Sequence, residues 1–180
     1  ARPPSRRASA PAAPWGRGAP GAEGGLPTGA MEGFEDAVKR LRAELDGKLC
    51  ICILGSTSYF SPDSERIVQR FAKEISQALD GRAAFATGGM QGVQETFAKS
   101  CVDGARIFNL LPEGQSSNYG VGKDLPAGKD MEERRKLFGE IGDIYVTFEG
   151  GPGVAEEAGR AFARGAAVLP VLRTGGASGG

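Results

Sequence analysis

The chain has 180 residues, 40% of them hydrophobic, which is enough for one domain of ordinary size with a filled core. Lys plus Arg and Asp plus Glu number 22 each, so no overall basic field draws the chain to nucleic acid, and no apolar run nears the roughly 20 residues that cross a bilayer. Histidine is absent, which excludes Ser-His-Asp and Cys-His catalysis and removes the commonest zinc or iron ligand; neither a metal nor a cofactor is expected.

Residues 1 to 30 consist mostly of Ala, Pro, Gly, Arg and Ser, and such a tract cannot bury enough apolar surface to offset the entropy of ordering it. It reads as a disordered segment ahead of a domain at 31–180. Its Arg-rich, acid-poor character fits an organellar transit peptide, and the late first methionine, Met31, fits sequence upstream of a true start equally well. Phe34, Val38, Leu41 and Leu45 then recur at helical spacing and predict a leading amphipathic helix that ends near Gly47.

Leu49 to Leu54 is a continuous apolar run, as a parallel strand covered on both faces requires. It ends in the hydroxyl-rich turn Gly55-Ser56-Thr57-Ser58. Cys50 and Cys52 lie inside the strand, not at a ligand-like spacing, and with Cys101 they read as buried thiols in a reducing compartment. That compartment is the cytoplasm, or an organelle if the leading tract is a transit peptide. Ser61-Pro62-Asp63 starts the next helix, with Ile67, Phe71, Ile75 and Ala78 as its predicted buried stripe.

A short strand near Ala83 to Ala86 leads to the turn Thr87-Gly88-Gly89-Met90-Gln91-Gly92 and a helix to about Val102; a third strand follows at Arg106 to Leu111. The stretch from Pro112 to Gly128 has no periodicity and reads as a long loop. A helix from about Lys129 to Ile141, the strand Ile144 to Phe148, the turn Glu149 to Gly153, a helix from Val154 to Arg164 and a fifth strand at Val168 to Leu172 complete the series. This alternation predicts an α/β fold, a Rossmann-like doubly wound parallel sheet with helices on both faces. The last residues, Thr174 to Gly180, come before any closing helix, as in a domain truncated at its C-terminus.

Such sheets bind ligands at the carboxyl ends of their strands, where both glycine turns lie. Gly88, Gly89 and Gly92 let the backbone approach an anion at a helix N-terminus, and Gly150, Gly151 and Gly153 repeat the arrangement. A nucleotide or nucleotide-like small molecule is therefore the expected partner, rather than nucleic acid or a membrane. Pro152 supplies no N–H, which leaves Gly153 and Val154 as donors, with Ser56, Thr57 and Ser58 as further hydroxyl donors.

Asp130-Met131-Glu132-Glu133-Arg134-Arg135, followed by Glu149-Gly150-Gly151-Pro152-Gly153-Val154-Ala155-Glu156-Glu157, resembles the paired signature of the Lonely Guy (LOG) family, an Arg-Lys pair on a helix and a PGGxGTxxE turn. Thr87 to Gly92 resembles the family's other glycine turn, and the resemblance runs from about Lys48 to Gly176. Molybdenum cofactor carriers and nucleotide-sensing SLOG domains share much of it. The family's enzymes hydrolyse the N-glycosidic bond of cytokinin riboside monophosphates, so the resemblance implies Arg134 and Glu157 as catalytic positions and Arg135 as a ligand contact. Glu157 would stabilise an oxocarbenium-like state, and Arg134 would hold the ligand or keep Glu157 ionised. Facing one ligand in the cleft, the two are expected to be partly exposed and of little weight in folding, so that removing either charge abolishes turnover at little cost in stability; the alternative is a surface ion pair beside Arg135 and Glu156.

Three departures favour a changed ligand or a non-catalytic binding or cofactor-carrying module as the competing reading. Glu149 replaces the family's first Pro, Val154 its Thr, and Met90 the hydroxyl residue of the other turn. A homodimer is also expected, since family members pair through helices that flank the cleft, with Leu137, Phe138 and Phe162 as candidate interface residues.

Overall fold

A computed structural model describes residues 28–102 and 105–180, and the expectation for the tract at 1–27 lies outside them. The elements in order are α1 (Thr28–Glu44), β1 (Leu49–Gly55), α2 (Pro62–Ala78), β2 (Ala83–Thr87), α3 (Val93–Ser100), β3 (Arg106–Leu111), β4 (Lys123–Pro126), α4 (Met131–Ile141), β5 (Ile144–Phe148), α5 (Pro152–Ala163) and β6 (Ala167–Pro170). Two 3-10 turns, Leu172–Thr174 and Gly176–Ser178, follow β6.

All six strands are parallel and form one sheet in the order β4-β3-β2-β1-β5-β6. The alternation of side chains along β1 divides the core in two. Cys50, Cys52 and Leu54 pack with Leu41 of α1 and Leu45 just after it, Leu137, Phe138 and Ile141 of α4, and Ala158 and Ala161 of α5. Ile51 and Ile53 pack on the opposite face with Val68 and Ala72 of α2 and Val93 and Phe97 of α3. Each fully buried Leu or Ile of this strand contributes about 1.5–3 kcal/mol relative to exposure, which is why β1 is apolar from end to end.

Several expectations are corrected. The stretch read as a long loop contains β4, whose edge pairing with β3 buries only Leu125, so it carries no apolar pattern. On α2 the buried line is Ser64, Val68, Ala72 and Ser76; Ile67, Phe71 and Ile75 flank it half-buried, and Ala78 is exposed. Small residues sit at the centre because the helix lies close on the sheet. The last strand stops at Pro170 and the chain turns back over the end of β5. Leu137 and Phe138 are fully buried beneath α4 and present no interface; of that set only Phe162 is exposed. The thiols of Cys50 and Cys52 are buried on one face of β1, whereas Cys101 sits half-buried at the C-cap of α3.

Candidate functional site

The strand order reverses at β1, between β2 and β5, and the crevice above the ends of β1 and β5 is where a doubly wound sheet ordinarily receives its ligand. The loop after β1 and the glycine turn after β5 form its walls. Between them lies Glu149, fully buried and in the left-handed region at φ +52°. Its carboxylate accepts from Ser56 Oγ at 2.6 Å, from Phe60 N at 3.1 Å and from Ser61 N at 3.3 Å. Its N–H donates to Thr174 Oγ1 at 2.7 Å, and its carbonyl accepts from Ser178 N at 3.0 Å and Oγ at 2.8 Å. Burial alone would raise the Glu149 carboxyl, but donors from Ser56, Ser64, Phe60 and Ser61 outweigh it and hold it below the usual carboxylate range. The crevice thus carries an anion of its own at the start of α2. Ser56, expected to face a ligand, donates its hydroxyl to that anion.

The first glycine turn is also satisfied from within. Gln94 Oε1 accepts from Gly88 N at 3.0 Å and from Met90 N at 3.1 Å, while its Nε2 donates to Ile53 O at 3.1 Å. Gly89 N donates to Thr87 Oγ1 at 3.1 Å. Gly92, at φ +79°, is the N-cap of α3, and a side chain there would strike the backbone of Ser56 and Thr57. Gly55, at the end of β1, lies equally close to Val93. These amides hold the turn in shape instead of pointing at an anion.

The second turn differs. α2 and α4 are capped by their own side chains, Ser61 and Asp130. α5 begins from Gly151, which makes no side-chain cap, and Gly151 and Gly153 face open space. Gly150 is held by Ala177 N at 2.9 Å, and Val154 is buried against it. α3 also lacks a side-chain cap, but its Val93 N donates to Ser56 O at 3.1 Å, so the open first turn and the dipole of the 12-residue α5 make its start the better anion site of the two.

Arg134 and Glu157, 23 residues apart, meet between α4 and α5. Arg134 Nη1 donates to Glu157 Oε1, and Nε donates to Leu110 O at 3.1 Å at the end of β3. The guanidinium lies 4.5 Å above the Phe138 ring and fills the space a side chain at Gly88 would need. Side-chain exposures of 3% and 7% make this a buried pair, not the partly exposed one expected. Burial pushes the Glu157 carboxyl up, and Arg134 followed by Arg135 opposes that shift. Arg134 Nη2 is buried without a hydrogen-bond partner, one donor available beside the first glycine turn. Arg135 itself is half-buried.

No protein-family model matches the chain. A stretch of 76 residues is 30% identical to a cytokinin riboside 5'-monophosphate phosphoribohydrolase of Rhodococcoides fascians, covering 39% of this chain and 38% of that protein. The match therefore spans well under half of the curated relative. The solved structure of TM1055 superposes with a TM-score of 0.61 at 22% identity, over 72% of this chain and 78% of that one. The molybdenum cofactor binding protein of Rippkaea orientalis gives 0.57 at 16%, over 67% and 74%. The single-stranded-DNA-binding DNA processing protein A of Helicobacter pylori gives 0.55 at 18%, over 76% and 73%. The chain shares the fold of these solved structures.

Within this fold the departures from the LOG pattern acquire positions. Glu149 lies inside the crevice, Val154 packs behind Gly150, and Met90 lines a cavity of about 530 Å³ on the α3 side of the sheet edge. Thr57 and Gly89 share that cavity, whereas Ser58 is exposed and is not part of its lining. Its outer wall is the segment after β3, held by a buried network. Asn109 Oδ1 accepts from Thr87 Oγ1 at 2.7 Å and from Tyr119 Oη at 2.8 Å, and Asn109 Nδ2 donates to Asp124 Oδ1 at 2.9 Å. Burial raises Tyr119 to about 12 and keeps it a neutral hydroxyl; Asp124 stays low because donors from Asn109, Ser117 and Ser116 outweigh its burial. Sequence reading passed over Gln94, Asn109 and Tyr119. The one signal was Asn109, a polar residue inside the apolar run Ile107 to Leu111. Among the described residues no cluster of metal-ligating side chains occurs, and no helix is long and apolar enough to cross a membrane.

Proposed function

We propose that the protein is a LOG-like hydrolase that cleaves the N-glycosidic bond of a nucleoside 5'-monophosphate, with Arg134 and Glu157 as its catalytic residues. One observation carries the reading: the two meet in a water-poor setting at the carboxyl edge of the sheet, next to the uncapped start of α5. The ligand's phosphate would take the amides of Gly153 and Val154, with Gly150 and Gly151 shaping the turn and Arg135 adding charge. As the bond from C1' to the base nitrogen breaks, positive charge builds on the ribose, and a carboxylate fixed nearby stabilises it electrostatically. Water then adds hydroxide to C1' and its proton leaves with the base, giving ribose 5-phosphate. Arg134 opposes the rise that burial imposes on the Glu157 carboxyl and offers Nη2 to a ligand oxygen. The whole requires neither metal nor histidine.

Incubation with AMP and with isopentenyladenosine monophosphate tests this, by the appearance of free base. No release above a Glu157→Ala control refutes it. A second reading, a non-catalytic nucleotide-binding or cofactor-carrying module, is favoured by Glu149 filling the crevice and by the self-satisfied first turn. A ligand that raises the melting temperature but is never turned over would select it. The even charge balance supports a small molecule over nucleic acid as partner in either case. A homodimer is proposed as well, supported by Phe162 and Leu169, 58% and 54% exposed. A monomer mass by light scattering at micromolar concentration would exclude it.

A further inference from the structure

The two 3-10 turns after β6 bring a pair of buried polar residues, Thr174 and Ser178, to the root of the second glycine turn, and the proposed hydrolysis makes no use of them. Thr174 Oγ1 accepts from Glu149 N at 2.7 Å and donates to Val171 O at 2.7 Å. Ser178 N donates to Glu149 O at 3.0 Å, and Ser178 Oγ lies 2.8 Å from the same oxygen and 2.7 Å from Thr147 Oγ1 on β5. Between them Ala177 N donates to Gly150 O at 2.9 Å. Gly176, at φ +59°, packs so closely that a side chain there would strike Gly150 O. One segment thus clamps both main-chain groups of Glu149 and the carbonyl of Gly150.

The conformation so held is a strained one. Glu149 carries a Cβ at φ +52°, a region that residues other than Gly seldom adopt and that persists only where surrounding contacts over-determine it. Gly150 follows at φ +93° with Val154 packed where its side chain would be, and Gly151 is the N-cap of α5. A torsion at one residue swings the chain that follows it, so relaxation of Glu149 toward negative φ re-aims the first-turn amides of α5. We propose that Thr174 and Ser178 are positioning residues for an anion at the start of α5: they hold Glu149 in its left-handed conformation and through it aim the amides of Gly153 and Val154 at one oxyanion. Neither hydroxyl meets the ligand; both are spent on the protein's own backbone. The proposal rests on the nucleotide reading, with the ligand's phosphate at those amides. Loss of either hydroxyl therefore weakens anion binding without slowing chemistry, so KM rises while kcat stays near the parent's.

The test titrates the labelled full chain with inorganic phosphate and follows its amide spectra, together with the one-bond Cα–Hα coupling of Glu149, which differs between positive and negative φ. In the parent, phosphate is expected to perturb Gly151, Gly153 and Val154. Thr174→Val keeps the side chain's shape but gives Glu149 N no acceptor, and Ser178→Ala removes the hydroxyl beside Glu149 O while keeping the backbone bond. Each should weaken phosphate about tenfold and shift the Glu149 coupling, whereas Thr174→Ser, which keeps the acceptor, should match the parent in both. Ser178→Ala, the milder change, decides the matter if Thr174→Val does not fold. Ser76→Ala controls for stability alone: it removes a buried hydroxyl near the last turn of α2 that accepts from Val102 N at 3.1 Å, and should leave phosphate affinity unchanged. Parent affinity in both clamp variants, an equal loss in Ser76→Ala, or phosphate that perturbs none of the three amides would overturn the proposal. A loss confined to the clamp variants of a protein that never turns over AMP would support it and remove the hydrolase; AMP turnover with the parent's KM in Thr174→Val would do the reverse.

Discussion

Replacing Glu157 by Ala removes the counter-charge of a guanidinium that is 3% exposed and is held on its other sides by Leu110 O and the Phe138 ring. Arg134 cannot escape to water without vacating the space over Gly88. Breaking a buried pair from one side costs about 3–5 kcal/mol, against the 0 to 1 kcal/mol of an exposed pair. For a chain of this length each kcal/mol moves the melting temperature by about 2–4 °C, so a fall of roughly 6–20 °C is expected. Arg134→Ala should cost at least as much, since it also removes the contact with Phe138 and strands a buried carboxylate. The double replacement Arg134→Met with Glu157→Leu leaves no buried charge and should recover most of the loss, giving a coupling of about 3 kcal/mol or more. Urea unfolding followed by circular dichroism on the parent, the single variants Arg134→Met and Glu157→Leu and the double variant measures the cycle, with the two alanine variants measured beside it. Single losses below about 1 kcal/mol that add in the double variant would refute the buried-pair argument. Activity assays on either single variant must accordingly be run well below its own melting point.

Glu149 predicts a pH dependence. Its folded value lies below the ordinary 4.5, so the native state binds fewer protons than the unfolded chain. The stabilisation is complete above that value and is lost as pH falls through the lowered one. Glu149→Gln should flatten the acid limb of stability below pH 4.5; an unchanged limb in acid titration refutes the role. Gly88→Ala places a methyl group where the Arg134 guanidinium lies, and should cost about 1–3 kcal/mol by thermal unfolding while abolishing turnover. Wild-type behaviour would mean that Arg134 is free to move. Asn109→Leu leaves the hydroxyls of Thr87 and Tyr119 only each other, so one of the two protons loses its acceptor at a cost of about 1–3 kcal/mol, and should loosen the cavity wall, read as faster amide exchange in 115–119.

Strand and helix order, the parallel doubly wound sheet and the two glycine turns were legible in the sequence, because each rests on local periodicity and on residues that only turns tolerate. Continuous apolar runs such as Leu49 to Leu54 announce a strand covered twice, and Ser61-Pro62 announces a helix start. The spacing of Arg134 and Glu157 was readable too, though not their depth: nothing in Glu132-Glu133-Arg134-Arg135 distinguishes the arginine that points inward from the one beside it. Helix phase relative to the sheet decides that, and phase is a property of packing. β4 escaped notice because an edge strand that buries one residue needs no pattern.

What only the tertiary structure decided is which hydrogen-bonding groups remain open to a ligand. The sequence places two glycine turns at equivalent strand ends and makes them alike. Gln94 and Thr87 close the first from within, Glu149 fills the crevice beside the second, and the start of α5 keeps its amides uncapped. Those partners lie up to 93 residues apart along the chain, so no local reading of composition or spacing brings them together. Hydrogen bonds are saturable, and only the folded chain settles which donors have been used.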